Sequence, residues 1–203
     1  MNKFTTATLA LGSVALTACG AFGTKAKEVK HETVTRSELV GKWKAACVPS
    51  RLYQGLYTKM SYDFAVASGY TFNEQIFDDN ACAKLNRTLN LTGDYSFPQS
   101  FQPGSNAIDF KVNEASLTAE RDDVAKQLAD SKYCGKTDWQ KGFAKSVLKA
   151  DCPDLQQLEK DKTISEIFEI RDGKLYLNQP FLAAAPLQSN PSTSLDLDIP
   201  FSE

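Results

Sequence analysis

Through the middle of this 203-residue chain, apolar side chains recur at every second position, the period of strands that bury one face. Met60, Tyr62, Phe64 and Val66 alternate, and Tyr70, Phe72 and Ile76 repeat the pattern after Ser68 and Gly69, which predicts a hairpin. Leu85, Leu89 and Leu91 follow with Arg87 on their side, and Gly93 and Asp94 are expected to turn the chain into Tyr95 and Phe97. Ile108, Phe110 and Val112 alternate again, and Leu117 continues beyond a kink. The clearest local signal runs from Ile164 to Asn178, where Asp172 and Gly173 suit a two-residue type I′ turn. That loop pairs Ile170 with Leu175 and Phe168 with Leu177, so four apolar side chains share one face while Glu169 and Tyr176 take the other.

Two stretches break the period. Between Arg121 and Lys132, Val124 and Leu128 stand four apart among charges, which predicts a short helix. Asp138 suits the cap of another, with Trp139, Phe143 and Val147 at spacing four, although an irregular loop or a strand fits the same residues. The remainder amounts to eight or so short antiparallel strands, a number that fits a closed barrel or a sandwich.

At the N-terminus, Lys3 and the apolar stretch Thr5 to Leu16 are too short for a membrane span and read as a secretory signal. Its end, Leu16, Thr17, Ala18, Cys19, Gly20, resembles the lipobox of bacterial lipoproteins. The resemblance implies that residues 1–18 are removed and that Cys19 is acylated, with membrane lipid as its partner. Because residue 20 is not Asp, it further implies a cell-envelope protein sorted to the outer membrane. Residues 19–36 carry many charges and few large apolar groups, the composition of a tether. Residues 37–180 form one domain and 181–203 a loosely ordered tail, in which Leu195, Leu197 and Ile199 alternate like an edge strand.

Setting Cys19 aside leaves Cys47, Cys82, Cys134 and Cys152, an even number in an exported chain, with three possible pairings. The expected set is Cys47 with Cys82 and Cys134 with Cys152. A net charge of −2 offers no basic field for nucleic acid.

Leu39, Val40, Gly41, Lys42, Trp43 resembles the GxW element of the lipocalins and the wider calycin barrels, and Gly93, Asp94, Tyr95 stands where a mid-barrel turn belongs. With Ala107, Ile108, Asp109, Phe110, the order of features is similar to that of uncharacterised lipocalin-like lipoproteins of Gram-negative bacteria. The resemblance covers residues 37 to 178. It implies a mainly β fold, an antiparallel up-and-down barrel of about eight strands with one short helix. It also implies structural roles for Gly41 and Trp43, the tryptophan plugging the closed end, and for a late arginine packed across it; Arg171 is the available one.

Chemistry is sparse. His31, the one histidine, precedes the domain, so Ser-His-Asp and Cys-His arrangements cannot be assembled within it. Asp78 with Asp79 and Asp122 with Asp123 read as turn and helix-start charges. No phosphate-cradling motif occurs, and no enzymatic activity, metal or cofactor is expected. The aromatic strand faces supply the expected function, a binding module for a small hydrophobic ligand lined by Tyr62, Phe64, Tyr70, Phe72, Phe110 and Phe168. The alternative is a tethered interaction domain with a filled core, whose Cys134–Cys152 insert with Lys136, Lys141, Lys145 and Lys149 meets an envelope or surface protein.

Overall fold

A computed structural model of the chain describes residues 36–98, 106–148, 152, 153, 155, 163–178, 195 and 197–203. A single helical turn, α1 (Arg36–Leu39), leads into β1 (Gly41–Ala45). There follow β2 (Val48–Pro49), β3 (Tyr57–Phe64), β4 (Gly69–Phe77), β5 (Leu85–Ser96) and β6 (Asn106–Ala119). Helix α2 (Asp122–Asp130) and a 3₁₀ turn at Tyr133–Gly135 precede β7 (Ala144–Ser146), β8 (Thr163–Arg171), β9 (Lys174–Leu177) and β10 (Phe201–Ser202).

Consecutive strands pair antiparallel from β3 through β6, then β8, β9 and β10, and β1 joins β10 on one side to β3 on the other. The result is a closed eight-strand up-and-down barrel of β1, β3, β4, β5, β6, β8, β9 and β10. The sandwich alternative is therefore excluded. Closure leaves these strands no open edge and turns one face of each inward, which is what the two-residue period demands. The short β2 pairs with β3, and β7 takes the stretch of β6 beyond its pairing with β8.

Strand directions divide the connections between two ends. The entry end, where Gly41 lies opposite Phe64, carries α1, the 65–68 turn, the β8–β9 turn and the C-terminus. The far end carries the β4–β5 corner and the insert after β6. Both disulfides form there as expected, Cys47–Cys82 with Cα atoms 6.0 Å apart and Cys134–Cys152 with 4.1 Å.

The hairpin expected around Ser68 and Gly69 forms, with Tyr62 opposite Phe72. In the second hairpin Ile170 pairs with Leu175 and Phe168 with Leu177 as expected, and Asp172 and Gly173 both take the positive φ of a type I′ turn, 53° and 69°. Helix α2 lies within 121–132 and buries Val124 and Leu128.

Other expectations are corrected. Strand β3 ends at Phe64, so Val66 is an exposed turn residue rather than a continuation of the alternation. Gly93 and Asp94 make no turn: β5 runs straight through them to Ser96. The glycine is needed because its backbone passes so close to β6 that a Cβ would sit 1.9 Å from the Lys111 carbonyl oxygen. Here β6 carries the kink expected before Leu117, a bulge at Asn113. Asp138 caps no helix but pairs with Lys145 at 2.5 Å, and residues 144–146 are strand β7. The C-terminal strand is Phe201–Ser202, inserted between β9 and β1, whereas Leu197 is exposed. Residues 1–35, with the signal, Cys19 and most of the tether, lie outside the described residues, as do 179–194 of the tail.

Candidate functional site

The inner face of the barrel has two levels. Toward the entry end it is aromatic. Tyr62, Phe64, Tyr70, Phe72, Phe110 and Phe168, expected as pocket lining, are all brought to this face, each no more than 3% exposed. They meet one another. Tyr62 lies 5.4 Å from Phe64, 4.8 Å from Phe72 and 6.1 Å from Phe110 between ring centroids, and Tyr70 stands edge-on to Phe110 at 5.0 Å. Phe201 and Tyr95, neither expected as lining, complete the cluster against Tyr62 and Phe64, each at 5.3 Å. Phe168 joins through Phe97 at 5.9 Å. Such offset and edge-on contacts are those of a packed aromatic core. Burial, followed by the Asp94 charge, drives the Tyr70 hydroxyl far above its ordinary range, so it stays neutral and cannot serve as a base.

Trp43 lies at the entry end, 3% exposed, its indole Nε1–H donating to the Leu39 carbonyl at 2.8 Å. Gly41 opens the strand with φ of 141°. Arg171 does not take the role expected of it. It sits at the exposed tip of the β8–β9 hairpin, held by both Glu169 carboxylate oxygens at 3.0 and 2.9 Å and lying over the Tyr176 ring. A bidentate partner two residues away, on its own strand, keeps the guanidinium outside.

Toward the far end the inner face turns polar. Thr58, Glu74 and Arg87 occupy inward positions and are 3–7% exposed, and the Thr58 hydroxyl donates to Glu74 Oε1 at 2.9 Å; the buried Glu166 lies instead among the aromatic residues, opposite Ile108 and one step from the Phe110–Ile164 pair. Arg87 is clamped between rings, its guanidinium carbon 5.0 Å from the Tyr53 centroid and 5.8 Å from that of Tyr133. Arg87 Nε–H donates to Asn86 Oδ1 at 2.9 Å, and the Asn86 amide donates to Asp78 Oδ1 at 2.6 Å. Asp78 also pairs with Arg121 at 2.8 Å and Lys84 at 3.0 Å, and Arg121 pairs with Asp123 at 2.8 Å. Burial would raise the Asp78 carboxyl, but hydrogen bonds from Asn86, Lys84 and Arg121 outweigh it and hold it below the usual range. The Arg121 hydrogen bonds hold Asp123 down at about 2. The network joins the β4–β5 corner to α2, while the aromatic clamp and two disulfides fix the loops around it. Asp79 serves the same corner by accepting from the backbone N–H groups of Ala81, Ala83 and Lys84.

The polar belt was readable in the sequence. Glu74 falls between Phe72 and Ile76 and Arg87 between Leu85 and Leu89, each a charge in the apolar phase of a strand. The Tyr53–Arg87–Tyr133 clamp was not readable, because it joins three segments remote in sequence. Of the lysines expected as a basic surface, Lys141 pairs with Asp122 at 3.6 Å and Lys145 with Asp138, which neutralises much of it. Phe143 beside them is 63% exposed. Among the described residues, no group of three or more His, Cys, Asp or Glu side chains could hold a metal. The chain matches no known family model, and no curated protein is detectably similar to it in sequence.

Proposed function

We propose that the chain is a lipid-anchored envelope protein, tethered at Cys19 to the outer membrane. Its lipocalin-like barrel is a non-enzymatic recognition module that meets a partner protein at its far end. One observation carries this reading. The rings that a ligand carrier would line its pocket with are packed on one another at 4.8–6.1 Å, so the barrel spends them on its own core. What remains for recognition is the outside. There the far end offers loops fixed by two disulfides and the Arg87 clamp, with Phe143 standing exposed among charged residues. An exposed aromatic on a rigid frame is the usual anchor of a protein interface, because little conformational entropy is lost when it docks.

The test has two arms. A fluorescent fatty-acid analogue titrated into the folded, delipidated protein is expected to show no saturable binding; a saturable site would restore the hydrophobic-carrier reading and overturn this one. Affinity capture from envelope extracts is then compared between the native domain and Phe143→Ser. Loss of the same specific protein from the variant, with an unchanged unfolding temperature, is the expected result. Identical captures would remove the far end as the interface.

A further inference from the structure

We infer that the far end recognises an acidic side chain of its partner, an Asp or Glu carboxylate seated on the terminal edge of the Arg87 guanidinium; this deepens the far-end reading and rests on it. Arg87 is 7% exposed. Among the described residues it joins no ion pair, and its one side-chain hydrogen bond runs from Nε to Asn86 at 2.9 Å. Asp78, reached through the Asn86 amide at 2.6 Å, is already committed to Arg121 at 2.8 Å and Lys84 at 3.0 Å. Glu74, inward on the neighbouring strand, accepts from Thr58. The terminal nitrogens of Arg87 thus present donors and a charge, nine-tenths buried, that the described fold does not use. Such an arrangement costs stability unless an anion supplies the acceptors.

The surroundings select the anion. The Tyr53 and Tyr133 rings lie 5.0 and 5.8 Å from the guanidinium carbon, and their hydroxyls meet at 3.4 Å. The rings take the faces of the guanidinium and leave its edge, where a planar carboxylate accepts two N–H groups at once. A dianionic phosphate suits the place less, because Asp78 stands one side chain away. Both rings are held in place. Tyr53 N–H donates to Ser50 Oγ at 3.1 Å, and the Tyr133 carbonyl accepts from the Trp139 indole at 3.2 Å. Tyr133 also sits between two non-glycine residues of left-handed backbone, Lys132 with φ 51° and Cys134 with φ 55°. Strain of this kind persists only where the surrounding structure enforces it, and it clusters at binding sites. Lys132 and Lys136 flank the same turn, and among the described residues neither joins an ion pair, so the rim complements an acidic surface. One arginine–carboxylate contact retains a small free acid only weakly, whereas a protein brings its carboxylate with other contacts.

The isotope-labelled full-length chain is titrated with N-acetylglutamate α-amide and, in parallel, with the uncharged N-acetylglutamine α-amide at constant ionic strength, and followed by nuclear magnetic resonance. The Arg87 Nε–H and the Tyr53 and Tyr133 ring signals are expected to shift saturably with the acid and not with the amide. Arg87→Lys, which keeps the charge and loses the fork, should abolish saturation at the two rings. Capture of the partner from envelope extracts by the native chain should fall severalfold when the glutamyl compound is present and stay unchanged with the glutaminyl one, a contrast that a purely structural role for Arg87 would not produce. Absence of a saturable shift at Arg87, or equal shifts with both compounds, would overturn the site and leave the far-end reading to the Phe143→Ser comparison. A saturable shift with capture indifferent to the acid would assign the site to a free carboxylic acid and overturn the partner's side chain as its occupant. Identical captures by the native chain and Phe143→Ser, also indifferent to the acid, would overturn the far-end reading and this inference with it.

Discussion

Single atoms decide the register of β5 against β6. Gly93 sits where a Cβ would meet the Lys111 carbonyl oxygen at 1.9 Å and Tyr70 Cε1 at 2.9 Å, one contact with backbone and one with a ring packed on Phe110. Neither neighbour can give way freely. Gly93→Ala should therefore destabilise the fold by about 2–3 kcal/mol, the upper part of the usual range for overpacking, and lower the thermal midpoint followed by circular dichroism. A variant as stable as the native protein would mean that the bulge at Asn113 absorbs the added carbon. The sequence shows that a glycine stands at 93 but not why. Turn and close backbone approach ask for the same residue, and only the partner strand, some 18 residues later, tells them apart. Glu74 and Arg87 teach the converse lesson, since each interrupts an apolar phase and each marks the polar level of the barrel.

At the level of elements, local signals decided what was legible. The β8–β9 hairpin and helix α2 each contain their own turn or period, and both lie where the sequence put them. Strand β10 has two residues, too few to show any period, and its place between β9 and β1 depends on one partner reached across undescribed chain and another over a hundred residues earlier. The junction of α2 with the β4–β5 corner is likewise nonlocal and rests on Asp78 and Arg121, whose side chains are 22% and 24% exposed. The folded Asp78 carboxyl titrates below its ordinary 3.8, so its stabilisation is complete above that value and is lost as pH falls through the lower folded value. Asp78→Asn should cost about 2 kcal/mol near neutrality, the scale of a hydrogen bond to a charged group. The gap in thermal midpoint between native protein and variant should hold steady down to mildly acidic pH and close below 3.8. A gap unchanged in acid would show that shape, rather than charge, holds the corner.

For the whole molecule, the two ends are stabilised by different means. The entry end is closed by burial, with Trp43, Leu39, Phe64 and Phe201 at 0–3% exposure, whereas the far end is closed by covalent links and a polar network over a charged inner face. A barrel of this kind should not lose stability evenly when its disulfides are opened. In the chain-entropy account, a cross-link spanning 35 residues contributes about 4 kcal/mol and one spanning 18 about 3 kcal/mol. Reduction under native conditions should therefore lower overall stability while freeing the far end first, because the aromatic cluster does not depend on either bridge. Amide exchange should accelerate in β2, the 78–84 corner and α2, with β3, β4 and the inner half of β5 still protected. Uniform acceleration along the chain would show instead that the disulfides hold the barrel as one unit. The far end would then owe its rigidity to barrel closure, and reduction would abolish partner capture only by unfolding the domain.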